Sequence, residues 1–161
     1  PAPLFSVFWV NHLQAPDTLI GLRGTVGHLS LVAGYIAWGR LANRIGHRRV
    51  LRISALGLGL YPILTALSPT PAWLFPAAFV WGITASGVDI GLFDLMLAAC
   101  PTHRQPLFAA VWSIAANAAI FAGPLMGAAL SGVTSVATAL IIAGIAQWVT
   151  TLPFSAIPRD V

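Results

Sequence analysis

Apolar runs about as long as a bilayer is thick alternate along this chain with short polar clusters. Pro3 to Val10 is apolar and is followed by Asn11, His12, Gln14 and Asp17, which leaves room for about half a membrane helix. A second run, from about Thr25 to Ala42, has His28 as its only strongly polar residue. A third covers Val50 to Ser68, with Pro62 as a kink that neighbouring helices can accommodate in a membrane. The Ser68-Pro69-Thr70-Pro71 turn leads into a fourth run, Ala72 to Cys100, which is longer than a bilayer needs and so implies tilt or extension. Pro101 to Pro106 is a polar connection. A fifth run, Leu107 to Leu130, turns at Ser131 to Ser135 into a sixth, Val136 to about Ile157. The pattern predicts an all-α membrane protein, a polytopic helix bundle in one transmembrane domain. Its partial first helix covers 3–14, and five complete transmembrane helices cover about 24–42, 50–68, 72–99, 106–130 and 134–157.

Composition agrees with that class. Hydrophobic residues make up 58% and charged residues 7%, and no Lys or Glu occurs. The formal charge of +4 therefore resides on Arg. No basic face interleaved with aromatics is visible, so a nucleic-acid surface is not indicated. The lone Cys100 excludes an internal disulfide and a cysteine-based metal cluster.

Most of the charge lies in one loop, 40–52, which contains Arg40, Arg44, Arg48, Arg49 and Arg52. Alternate connections share a membrane face. Seven Arg residues (those five, Arg104 and Arg159) then fall on one side and only Arg23 on the other. Arg is retained in the cytoplasm, so the loop and the C-terminus are expected there, in a plasma-membrane protein. Small residues recur at helix-packing spacing in Gly87-x-x-x-Gly91, Gly123-x-x-x-Gly127 and Ala128-x-x-x-Gly132. Trp38 and Trp73 lie near predicted span ends and suit interfacial belts, whereas Trp9, Trp81, Trp112 and Trp148 are deeper and read as packing residues.

Within the loop, Gly39 removes a side chain where two helices are expected to converge, and Gly46 permits a turn with positive φ. Arg44, Arg48 and Arg49 can bond helix C-terminal carbonyls, lipid phosphates or a nearby carboxylate. Asn43 can cap a helix N-terminus without charge. The stretch resembles the signature loop of the major facilitator superfamily, G-x-L-A-D-R-x-G-R-R-x-x-L. It matches at Gly39, Leu41, Ala42, Arg44, Gly46, Arg48, Arg49 and Leu51, and departs at Asn43 and His47. The resemblance implies half of a twelve-helix transporter with its first helix truncated, and Asn43 favours the C-terminal half. It also implies a gating latch, weakened where Asn43 replaces the usual carboxylate.

Ionisable groups inside a membrane are functional candidates by default. Asp94 lies roughly 5 to 9 Å inside the loop end of its helix, at about 1.5 Å per residue, and is the candidate partner of Arg44 or a neighbour. Asp89 is deeper, near the midplane. It is about 140° around the helix from Asp94, so the two carboxylates do not share a face. Asp89, His28 and Asn117 are candidates for substrate binding or proton coupling; Asp89 and Asn117 are as readily satisfied by interhelical bonding, and a lone His such as His28 is more often a hydrogen-bonded packing residue. Tyr35 and Gln147 could also hydrogen-bond a solute.

No catalytic triad, phosphate loop or metal-ligand spacing is present, so no enzyme, cofactor or metal is implied. The expected function is secondary active transport of a small solute by alternating access, coupled to H⁺ or Na⁺, with the missing other half and membrane lipid as partners. The alternative is a non-transporting sensor or assembly protein on the same scaffold. Convergence of polar side chains in the bundle centre discriminates between them.

Overall fold

A computed structural model of the chain describes residues 2–149 and 151. The described residues are overwhelmingly helical. Helix α1, Ala2–Val7, runs into a single π-helical turn, Phe8–His12. The chain reverses through Gln14, whose φ is 47°, and enters α2, Asp17–Ile45. Asp17 lies in the first turn of α2, where a negative charge complements the helix dipole. Then come α3, His47–Ala66; α4, Leu74–Ala99, entered by a 3-10 turn at Pro71–Trp73; α5, Gln105–Val133; and α6, Val136–Val149. Ser135 caps α6, its Oγ accepting from the Thr138 amide at 3.1 Å.

Four of these helices are long and apolar enough to cross a membrane: Asp17–Ile45, His47–Ala66, Pro71–Ala98 and Gln105–Gly127. Helix α6 has 14 described residues. The expected end of the sixth run near Ile157, together with Arg159 and Asp160, lies outside the described residues.

Helix α2 begins seven residues before the predicted start at 24. Asp17, Thr18 and Arg23 make that stretch look interfacial, yet it folds as helix because Arg23 is taken into the bundle. Asn43, expected as a helix cap, lies within the last turn of α2 and is exposed. Gly46 instead stands at the head of α3, which has no side-chain cap.

Helix α4 is the centre of the bundle and packs most extensively on α2 and α3, while α3 also packs on α6. Glycines form the seams, since lipid supplies no hydrophobic force between helices and close backbone approach must do so. A side chain at Gly82 would strike the backbone of Gly27 and Leu31, and one at Gly34 would strike Ser86, so these positions set the α2–α4 contact. Gly87 and Gly91 lie against Ser54 and Leu51 of α3, and Gly59 meets Gly144 across α3 and α6. Gly39 and Gly132 face open space, so the helix convergence expected at Gly39 occurs elsewhere.

At the end of the bundle away from the Arg loop, Leu4, Phe5, Phe8 and Trp9 pack with Tyr61, Leu74 and Leu140. Helix α5 is peripheral. Ile114, Ile120, Phe121 and Met126 are each about 70% exposed, which leaves an apolar helix for lipid or protein to cover.

Candidate functional site

Three polar assemblies occur at three depths. The first is at mid-depth. Asp89 lies ten residues before the end of α4 and Tyr35 ten before the end of α2, about 15 Å from the loop end in each case. Helices α2 and α4 run in the same direction, so the two residues come level. The Tyr35 hydroxyl donates to Asp89 Oδ2 at 2.8 Å. Ile90, Leu92, Phe93 and, from α5, Trp112 complete a pocket of about 400 Å³ around this pair. It joins three helices around a single carboxylate.

The second assembly is at the loop. Gly46, with φ of 85°, is the single residue between α2 and α3, a conformation that glycine adopts without steric cost. The resulting sharp turn brings the start of α3 over the end of α4. His47 Nδ1 lies 2.6 Å from Asp94 Oδ2. The approach is close but lacks hydrogen-bond alignment, so it is an ion pair when the imidazole is protonated. Asp94 therefore meets His47 rather than Arg44, which is exposed near the end of α2. Ile45, Arg48, Arg49, Arg52, Leu95 and Ala98 surround the pair in a cavity of about 690 Å³. Leu41, like Asn43, points away from the bundle.

The third assembly was not anticipated from the sequence. Arg23 sits in a box of aromatic rings, its guanidinium carbon 4.5 Å from the Trp9 ring centre, 5.5 Å from Tyr61 and 5.7 Å from Trp81. Its Nη2 donates to the Tyr61 hydroxyl at 2.5 Å. Trp9, Arg23, Tyr61 and Trp81 belong to the turn after α1, to α2, to α3 and to α4, so one cation ties four segments together. The signal that could have found it is the coincidence of the single Arg outside the loop side with three deep aromatics.

Of the remaining candidates, His28 meets the third assembly only through Trp81, and Asn117 joins none of the three. His28 Nδ1–H donates to the Gly24 carbonyl at 2.8 Å, and the ring stands edge-on to Trp81. Asn117 donates to the Ser113 carbonyl of its own helix at 2.7 Å and is exposed. Trp38, expected in an interfacial belt, instead donates its indole N–H to the Ile83 carbonyl at 2.6 Å and ties α2 to α4. Trp148 makes the same kind of bond to Leu56, at 2.8 Å. No group of His, Cys, Asp and Glu suited to a metal ion occurs among the described residues.

Comparison with known proteins adds an independent observation. The family model for the Major Facilitator Superfamily matches residues 1–159. The mouse protein "Solute carrier family 22 member 23" is 28% identical over 134 residues, as are its human and rat counterparts. The match covers 83% of this chain and 18% of each relative, so the chain spans under a fifth of the length of the curated relatives it matches.

Proposed function

The chain belongs to the major facilitator superfamily, and from that premise we propose that it forms part of a secondary active transporter that moves a small solute by alternating access. The observation that carries this reading is the convergence of Tyr35, Asp89 and Trp112, from α2, α4 and α5, at mid-depth in a bundle that is otherwise almost wholly apolar. A membrane protein with no internal route has little use for a solvated carboxylate at that depth, where charge is costly. In this reading the chain is the C-terminal six-helix half and rocks against a second half around the Asp89 pocket. Asp89 carries the coupling ion, H⁺ or Na⁺. His28 and Asn117, both exposed on helix surfaces, act as secondary contacts along the solute's path.

The loop assembly supplies the gate. The seven of eight Arg residues on the loop side of the predicted topology support a cytoplasmic position for Arg40 to Arg52, in a protein of the plasma membrane. The His47–Asp94 contact then holds the cytoplasmic ends of α3 and α4 together when that side is closed. Arg44, Arg48 and Arg49 line the membrane surface, where anionic lipid headgroups are available.

The test is transport by the intact protein in proteoliposomes. Asp89→Asn is expected to abolish gradient-driven uptake or efflux while leaving the protein folded by circular dichroism. Undiminished transport would remove Asp89 from the mechanism.

A further inference from the structure

We infer that the aromatic box around Arg23 is a binding site for one monatomic anion of the chloride class, held between the Nε–H of Arg23 and the indole N–H of Trp9. The site is separate from the Asp89 pocket and does not depend on transport. Two features of the box lead to it. The first is a pair of donors. Trp9 is 8% exposed and its indole nitrogen is buried without an acceptor, and the Nε of Arg23 is buried without one as well. Buried N–H groups are satisfied in nearly all folded proteins, so each of these calls for a partner. Both belong to one assembly, since the guanidinium carbon lies 4.5 Å from the Trp9 ring centre. One small acceptor can serve the two.

The second feature is charge. Among the described residues no carboxylate lies within ion-pair distance of Arg23, whose hydrogen bond goes to the neutral Tyr61 hydroxyl. Asp17 stands in the first turn of the same helix and is exposed. Ring faces attract a cation but carry no net charge, and a cation drawn into a fold without a counter-charge is costly. A water molecule would satisfy both N–H groups and leave that charge as it is. An anion answers both needs. The walls set its size: Phe5 lies 4.6 Å from Tyr61 and 6.0 Å from Trp9, ring centre to ring centre, so the box is built of rings. Sulfate, phosphate or a carboxylate has several oxygens to satisfy and would find too few donors. Chloride or bromide accepts from any direction, loses less hydration energy than the smaller fluoride, and is favoured by the positive edges of aromatic rings. Arg23 lies near the start of α2, so the ion enters from the aqueous face opposite the Arg loop.

The experiment follows thermal unfolding of the intact purified protein in nanodiscs by tryptophan fluorescence, in sodium chloride and in sodium gluconate at matched ionic strength. Chloride at about ten times its dissociation constant should raise the midpoint by about 3 °C, in a saturable manner. Bromide should replace it, and sulfate should act as gluconate does. Trp9→Phe keeps a ring beside Arg23 and removes the N–H, so the chloride concentration that gives half the shift should rise at least about 10-fold. Arg23→Met should abolish the shift, and where that variant is too unstable to purify, Trp9→Phe decides. Equal midpoints in chloride and gluconate would overturn the inference and leave water, or a group from elsewhere in the intact protein, as the acceptor. So would a chloride shift that Trp9→Phe leaves unchanged, which would put the ion at another site such as the loop arginines.

Discussion

At the far end of the bundle one cation is held by four segments, and at the loop end several cations surround one carboxylate. Arg23 lies among three aromatic rings and donates to a phenol inside the fold. His47 and Asp94 touch at a single pair of atoms, with their side chains 44% and 33% exposed. Cation–π contacts strengthen as water is removed, whereas a solvated ion pair contributes a kilocalorie per mole or less. The far end is thus a fixed clamp and the loop end a weak catch.

The largest test of this contrast is Gly82→Val. Its side chain would collide with the backbone of Gly27 and Leu31, which cannot move aside as a flexible side chain can. Separation of α2 from α4 would pull Trp81 from Arg23 and Tyr35 from Asp89 together. A loss of about 3 kcal/mol or more is expected, read as a lower unfolding midpoint in mixed micelles. A stable Gly82→Val protein would show that the seam is looser than its packing indicates.

Arg23→Met should follow, with a loss of roughly 2–3 kcal/mol from the ring contacts and the Tyr61 hydrogen bond, and Arg23→Lys should recover part of it. If Arg23→Met costs no more than a change in the loop, the clamp is not the stronger end.

The smallest effect belongs to His47. His47→Gln should change global stability by about 1 kcal/mol or less, given the exposure of the pair. Its signature is local. Cysteine accessibility at Ala98, which lines the same cavity, should rise in His47→Gln and stay near the parent value in His47→Arg, which keeps a cation opposite Asp94. Equal accessibility in the parent and in His47→Gln would show that His47 does not hold this end together.

Much of this arrangement was legible in the sequence. The apolar runs announced a helical membrane bundle because a membrane span must satisfy its backbone internally and present apolar side chains outward. The five-residue spacing of Asp89 and Asp94 told that they serve different neighbours, and they do: Asp89 turns to α2 and Asp94 to the head of α3. Less legible were contacts between residues distant along the chain. Tyr61 lies 38 residues from Arg23, and no local pattern reports that a phenol, two indoles and a guanidinium will meet. Tyr35 was named as a possible solute contact, but its pairing with Asp89 across 54 residues needed the parallel course of α2 and α4. Gly87 and Gly91, marked by their spacing, do pack closely on α3, whereas Gly39 faces open space and the α2–α4 approach falls to Gly34 and Gly82, which no spacing singled out.

The Arg23 box also bears on how the protein is made. A guanidinium opposes entry of its helix into a bilayer, by about 2.5–3.5 kcal/mol at a span centre and less toward the ends. Of the aromatic rings that offset this, Tyr61 and Trp81 are synthesised after α2. When α2 leaves the ribosome, Trp9 is the one ring of these three already made. The box around Arg23 is therefore complete only once α3 and α4 have been made, so the final packing of α2 waits on helices that follow it in the chain.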